Sequence, residues 1–183
     1  MTRALYLIAL VPPEEIRIDI KLFKEEMKSR FGAAHALKLP AHITLQMPFW
    51  MERDNEIILK EQLHALADAQ KPFPVQLDGF GCFAPCVIFV GVANPAPIVM
   101  LHSQLQQTFP SELFVKGHEQ HAEIHPHLTI ATRDLDKKDF PMAWEVFRSR
   151  HYAASFIAQD FSLFKHNGKI WETAQTFCFG KPG

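Results

Sequence analysis

Two short stretches of this chain pair a histidine with a threonine two residues on, inside the same apolar frame: His42-Ile43-Thr44-Leu45 and His127-Leu128-Thr129-Ile130. Side chains alternate across a strand, so in each stretch the His and Thr share one face while the aliphatic residues enter the core. If the two polar faces meet, two imidazoles and two hydroxyls converge. That set suits phosphate-ester chemistry. Imidazole titrates near neutrality, so one histidine can take a proton from the attacking water or hydroxyl while the other protonates the leaving oxygen. The Thr44 and Thr129 hydroxyls, with nearby backbone N–H groups, can hold the non-bridging oxygens as charge redistributes. Such a pair predicts a bell-shaped pH–rate profile with both limbs near neutrality, and it needs neither metal nor cofactor. A single His-x-Thr in a strand is usually an ordinary core or surface feature; two copies at matching places in a repeat are not.

The elements that must position these residues do repeat. An apolar strand over 4–11 leads into a helix over 13–31, where Ile16, Ile20, Phe23, Met27 and Phe31 mark one stripe and Gly32 a stop. A short strand over 42–47 carries the first motif. A helix over 55–70 follows, then alternation at Phe73, Val75 and Leu77, a bend at Gly79 and Gly81, and a buried strand over 87–92. The order then recurs: helix 97–109, strand 124–131 with the second motif, helix 137–150, and strands 154–164 and 169–179 joined by the His166-Asn167-Gly168 turn. His127 follows His42 by 85 residues. The hairpin signals favour an antiparallel α+β fold over a parallel one. The expected architecture is bilobal, with antiparallel sheets about a pseudo-two-fold axis, flanking helices and the active site in the cleft. The 183 residues suffice for a single domain, with halves of about 1–85 and 86–183.

Composition narrows the partners. A net charge of −1 is unlike a protein that coats long nucleic acid, so a nucleic-acid substrate would be gripped locally, at an end. The apolar opening is too short for a membrane span and lacks the form of a signal peptide. Three cysteines, Cys82, Cys86 and Cys178, with no secretory signal read as free thiols in a reducing cytoplasm. Cys82 and Cys86 lack the second Cys/His pair that a zinc site needs.

The rival chemistry is a metal hydrolase built on the run His118, His121, His125 and His127 with Glu119 and Glu123. The His118-Glu119-Gln120-His121 spacing is one residue short of the His-Glu-x-x-His arrangement. His125 would share a strand face with His127 and could line the site or cap the strand end. Lys38 and Lys165 are candidate phosphate contacts, and Phe49 or Trp50 could stack a base, with core the favoured place for at least one.

The paired His-x-Thr motifs resemble those of the two-histidine (2H) phosphoesterases, and within them the 2′-5′ RNA ligase family. The resemblance extends through Ala4-Leu5-Tyr6-Leu7-Ile8-Ala9-Leu10, Leu39-Pro40-Ala41-His42-Ile43-Thr44-Leu45, Leu77-Asp78-Gly79-Phe80-Gly81-Cys82-Phe83, Pro126-His127-Leu128-Thr129-Ile130 and Trp171. It implies the bilobal fold, catalytic roles for His42 and His127, and phosphate-binding roles for Thr44 and Thr129. It also implies ATP-independent chemistry on 2′,3′-cyclic phosphates or 2′-5′ linkages. Members often carry a basic residue five positions after the second motif histidine. Here Thr132 stands there, and Arg133, one later, can reach the phosphate if the strand ends at Ala131. The expectation is a cytoplasmic monomer acting on an RNA end or a small cyclic nucleotide. The alternative is a non-catalytic module that binds such ends.

Overall fold

The computed structural model describes residues 2–109 and 124–180. His118, Glu119, His121 and Glu123 of the histidine-rich run lie outside the described residues. The chain runs β1 (Arg3–Leu10), α1 (Glu14–Phe31), a 3₁₀ turn (His35–Lys38), β2 (Ile43–Glu52) and α2 (Glu56–Asp68). It continues with β3 (Phe73–Phe83), β4 (Val87–Val92), α3 (Ala96–Thr108), β5 (His127–Ala131) and α4 (Phe140–Arg148). The closing strands are β6 (Ala153–Ala158), β7 (Asp160–His166) and β8 (Trp171–Cys178). No described helix is long and apolar enough to cross a membrane.

The strands form one curled, antiparallel sheet in the order β6-β3-β4-β5-β2-β1-β7-β8. The order is symmetric about the β5–β2 junction. Four strands on one side, β5, β4, β3 and β6, answer β2, β1, β7 and β8 on the other. Each half of the sequence therefore sends strands to both sides. β3 pairs with β4 and β6, whereas β7 pairs with β1 and β8. The predicted strand 154–164 is in fact two strands, parted at Gln159, because β6 and β7 belong to opposite ends of the sheet. The hairpin turn is as expected, with Gly168 at φ 99°, a conformation that glycine adopts without cost.

Alternation builds two faces. Tyr6, Ile8, Leu10, Ile43, Leu45, Ile88, Val90, Leu128 and Ile130 point to one, where they meet the apolar stripes of all four described helices in a single cluster. In α1 that stripe is Ile16, Ile20 and Met27, and the helix ends on Gly32 in the left-handed conformation (φ 69°). α1 packs on β5 and α3 on β2, so each half's first helix braces the other half's motif strand. Glu26 of α1 takes two hydrogen bonds from Arg150, at 2.7 Å each, and one from Arg30, which ties the helix to the segment after α4. Those guanidiniums hold the Glu26 carboxyl down at about 2. The opposite face carries a small separate cluster of Leu7, Ala9 and Phe164, with Leu39 and Trp171 against it. The polar residues of the two His-x-Thr motifs look out on this second face.

Candidate active site

The two motif strands meet at one antiparallel pair, Ile43 with Leu128, both fully buried. Carrying that register one residue each way sets His42 across from Thr129 and Thr44 across from His127. All four side chains then share the face turned from the helices, and the two histidines are diagonal neighbours, about 7–8 Å apart between backbones. Two polar faces expected to meet across a cleft thus meet side by side, on adjacent strands at the sheet's symmetry axis.

The imidazoles are held alike. His42 Nδ1 lies 2.8 Å from the Pro40 carbonyl oxygen, and His127 Nδ1 lies 2.5 Å from that of His125. A carbonyl only accepts, so in both rings Nδ1 carries the hydrogen and Nε2 is left with its lone pair free. Burial pushes His42 down to about 4, helped by the charge of Lys24 and by His127. Burial also lowers His127, with His125 adding to the effect. Both shifts favour the neutral ring before any anion arrives, and the lowered His42 predicts an acidic limb below neutrality.

Around His42 lies a cavity of about 180 Å³ whose walls include Thr44, Thr129, Thr132, Lys24, His35, Lys38 and Arg133, with no Asp or Glu among its lining residues. Leu7, Ala36, Leu39, Met47 and Pro48 supply the apolar part of its wall, and hydroxyls and cations without a carboxylate are a chemistry that suits an anion. Arg133 reaches it from the turn after β5, which ends at Ala131; its own backbone is left-handed at φ 51°. The neighbouring Asp134 carboxylate accepts the Ala34 and His35 N–H groups at 2.8 and 2.7 Å, clamping this turn to the 3₁₀ turn that carries His35 and Lys38. Among the other candidates, Lys38 lines the cavity while Lys165 is paired to Glu56 at 2.6 Å. Phe49 is fully buried; Trp50 is half exposed.

Sequence reasoning passed over Lys24. It occupies an apolar-stripe position of α1, between Ile20 and Met27, and is only 3% exposed. Its Nζ donates to the Leu39 carbonyl at 3.0 Å, and burial lowers it to about 8. A lysine standing where the i, i+4 pattern calls for an aliphatic residue was the available signal. Gly81 lies within β3, where its lack of a side chain serves packing. Any Cβ there would fall 2.5 Å from the Phe89 ring, and that ring rests 4.7 Å from the ring of His127. Phe83 and His125 complete the surround of His127, with Phe83 5.4 Å away in an edge-on arrangement.

Among the described residues no cluster of three or more His, Cys, Asp or Glu side chains could hold a metal ion, and Cys82, Cys86 and Cys178 are free thiols. His125 contributes its carbonyl to His127 and its ring to the aromatic surround.

The chain is similar to known proteins in sequence and in fold. A phosphoesterase, provisionally so named, of Geobacillus thermodenitrificans is 30% identical over 167 residues, spanning 88% of this chain and 90% of the relative. A similarly named protein of Bacillus cytotoxicus is 28% identical over 158 residues, 85% of this chain and 87% of its own length. TT0787 of Thermus thermophilus shares the fold at a TM-score of 0.70 and 18% identity, over 98% of this chain and all of that one. E. coli LigT complexed with 3'-AMP does so at 0.71 and 18% identity, over 97% and 99%. Residues 12–170 match the family model of the 2'-5' RNA ligase superfamily, and the chain belongs to that family of two-histidine phosphoesterases.

Proposed function

We propose that the chain hydrolyses 2′,3′-cyclic phosphates of RNA ends or small nucleotides, with His42 as general base and His127 as general acid. The observation that carries this reading is the matched pair of imidazoles on adjacent strands, each with Nδ1 committed to a carbonyl and Nε2 unprotonated, with His42 but not His127 lining the basic hollow. Water bound beside the cyclic phosphorus gives a proton to His42 Nε2 as its oxygen bonds to phosphorus. The bond from phosphorus to one ribose oxygen breaks, and that oxygen takes a proton from His127 Nε2. Thr44, Thr129 and Arg133 hold the non-bridging oxygens, whose charge grows as the fifth oxygen arrives. Run with an RNA 5′-hydroxyl in place of water, the same proton transfers make a 2′-5′ linkage without ATP.

The assignment of roles follows from the charges. Burial lowers His42 first, with the Lys24 ammonium and His127 adding to it, and Lys38 and Arg133 line the same cavity. His42 is the ring that stays neutral, as a base must. His127 sits among Phe83, Phe89 and His125, and an arriving phosphate anion favours its protonated form. E. coli LigT, similar in fold, has been solved with 3'-AMP, NADP+ and ATP, in keeping with a nucleotide substrate here.

Turnover of a 2′,3′-cyclic mononucleotide, measured beside binding of the same compound and with EDTA present, tests the reading. Hydrolysis that survives prolonged chelation is the expected result. Binding without turnover would make the chain a ligand-holding module. Loss with EDTA and recovery with one divalent ion would bring the run from His118 to His127 forward as a ligand set.

A further inference from the structure

Lys24 stands at a wall between two hollows. One is the histidine cavity. The other, about 250 Å³, lies between α1 and the segment 37–41, and Lys24 and Leu39 line both. Arg17, Lys21 and Lys24 face the second hollow from α1 at spacings of four and three, the spacing of one helix face. Leu37 and Pro40 give it an apolar floor, and Glu14 supplies the one carboxylate among its lining residues. Cations thus continue from Arg133 and Lys38, through Lys24, to Lys21 and Arg17, along a path that leads out of the histidine cavity.

Ordinary surface solvation explains part of this row but not all of it. Lys21 makes only a long contact of 3.8 Å to Glu25, with both side chains more than half exposed, and such pairs are worth little and part readily. Lys24 is different. It is buried, no carboxylate pairs with it among the described residues, and a single carbonyl takes one of its three N–H donors. Burying an ammonium on those terms is costly, and the position could have held an aliphatic residue at no such cost. Two donors without a protein partner among the described residues, set between two hollows, make sense when an anion lies on either side.

We infer that the second hollow is a subsite for the phosphate preceding the terminal nucleotide of an RNA chain, so that the protein acts on oligoribonucleotide ends in preference to mononucleotides. A cyclic phosphate at a 3′ end has its only neighbouring phosphate on the 5′ side, and a positively charged groove beside the reacting group is how single strands are tracked. This deepens the proposed hydrolysis and rests on it for its kinetic test.

The experiment compares kcat/KM for a 2′,3′-cyclic mononucleotide and for a short oligonucleotide ending in the same cyclic phosphate. It uses the wild type and the Arg17→Ala/Lys21→Ala double variant, and adds binding of an uncleavable oligonucleotide with a 3′-phosphate. The wild type should favour the oligonucleotide by roughly tenfold, the scale of charge-assisted phosphate contacts. The double variant should lose most of that preference while turning over the mononucleotide as before. Its oligonucleotide affinity should fall, with a salt slope shallower by about one unit. Equal treatment of both substrates by the wild type, or unchanged oligonucleotide binding in the variant, would overturn the subsite. If neither substrate is turned over, the hydrolysis reading fails instead, and the binding comparison alone still decides the subsite.

Discussion

The two halves of the site begin as copies and end as different instruments. On each side a histidine gives its Nδ1 hydrogen to the carbonyl two residues earlier, and a threonine two residues later shares its face. The strand beside each motif then departs from symmetry. Ala9 of β1 stands opposite Thr44, where Phe89 of β4 stands opposite Thr129. The small residue belongs to the half whose histidine looks into a cavity lined by four basic side chains, and the large one backs the other histidine with an aromatic wall. Repetition supplies two equivalent imidazoles; in the proposed reaction, divergence around them lets one side take the phosphate charge and the other present a proton.

Removing either imidazole of that pair breaks the comparison most strongly. His42→Ala and His127→Ala should each lose about 10²–10⁴ in kcat, the usual worth of a positioned acid or base. The losses should differ in kind: the acidic limb of the kcat/KM profile disappears with His42, the alkaline limb with His127. The opposite pattern in a pH series would reverse the assignment. Next come the hydroxyls. Thr44→Val and Thr129→Val keep shape and remove a donor, and each should cost about 10²–10³ in rate while circular dichroism shows an unchanged fold. Wild-type turnover in both would mean that the hydroxyls do not touch the phosphate.

The aromatic half can be disturbed without touching its histidine. Gly81→Ala drives a methyl into the Phe89 ring, and overpacking of this kind costs about 1–3 kcal/mol, readable as a lowered Tm. Because Phe89 backs His127, the alkaline limb should shift while the acidic one stays. The smallest effect on rate is expected at Lys24→Met. Lys24, lowered to about 8, is charged below that pH and opposes protonation of His42. Without it the acidic limb should move up from the region of about 4 toward the ordinary histidine value, with the rate at the optimum within about tenfold of wild type. Stability should not fall, since a desolvated charge has been replaced by an apolar chain of similar size. An acidic limb that does not move would show that Lys24 does not set the His42 equilibrium.

What the sequence made legible was whatever periodicity and repetition encode. Period two placed His42 with Thr44 and His127 with Thr129, period 3.6 placed the α1 stripe, and the repeat predicted a pseudo-symmetric sheet. Pairing partners were not encoded in that way. Residues 153–166 hold no Gly or Pro to mark a break, so nothing local revealed that β6 and β7 join opposite ends of the sheet. Nor does alternation say whether two polar faces oppose each other across a gap or lie side by side, and only the Ile43–Leu128 pairing decides it. Lys24 escaped because a long cationic side chain in an apolar stripe reads as an aliphatic stem with its charge in solvent. Arg133 was placed in a loop by the end of β5 at Ala131, but its approach to the cavity depends on Asp134 gripping Ala34 and His35, a contact across 100 and 99 residues.

The central claim is that His42 and His127 act as one device, and a double-mutant cycle on hydrolysis of a 2′,3′-cyclic nucleotide tests it most directly. The rates of wild type, His42→Ala, His127→Ala and the double variant are compared at the wild-type pH optimum. Residues that work as a unit are strongly non-additive, so either single removal should cost nearly as much as both together, and the double variant should add little. Losses that simply multiply, or a single variant with near-normal turnover, would show that the two histidines do not share one reaction.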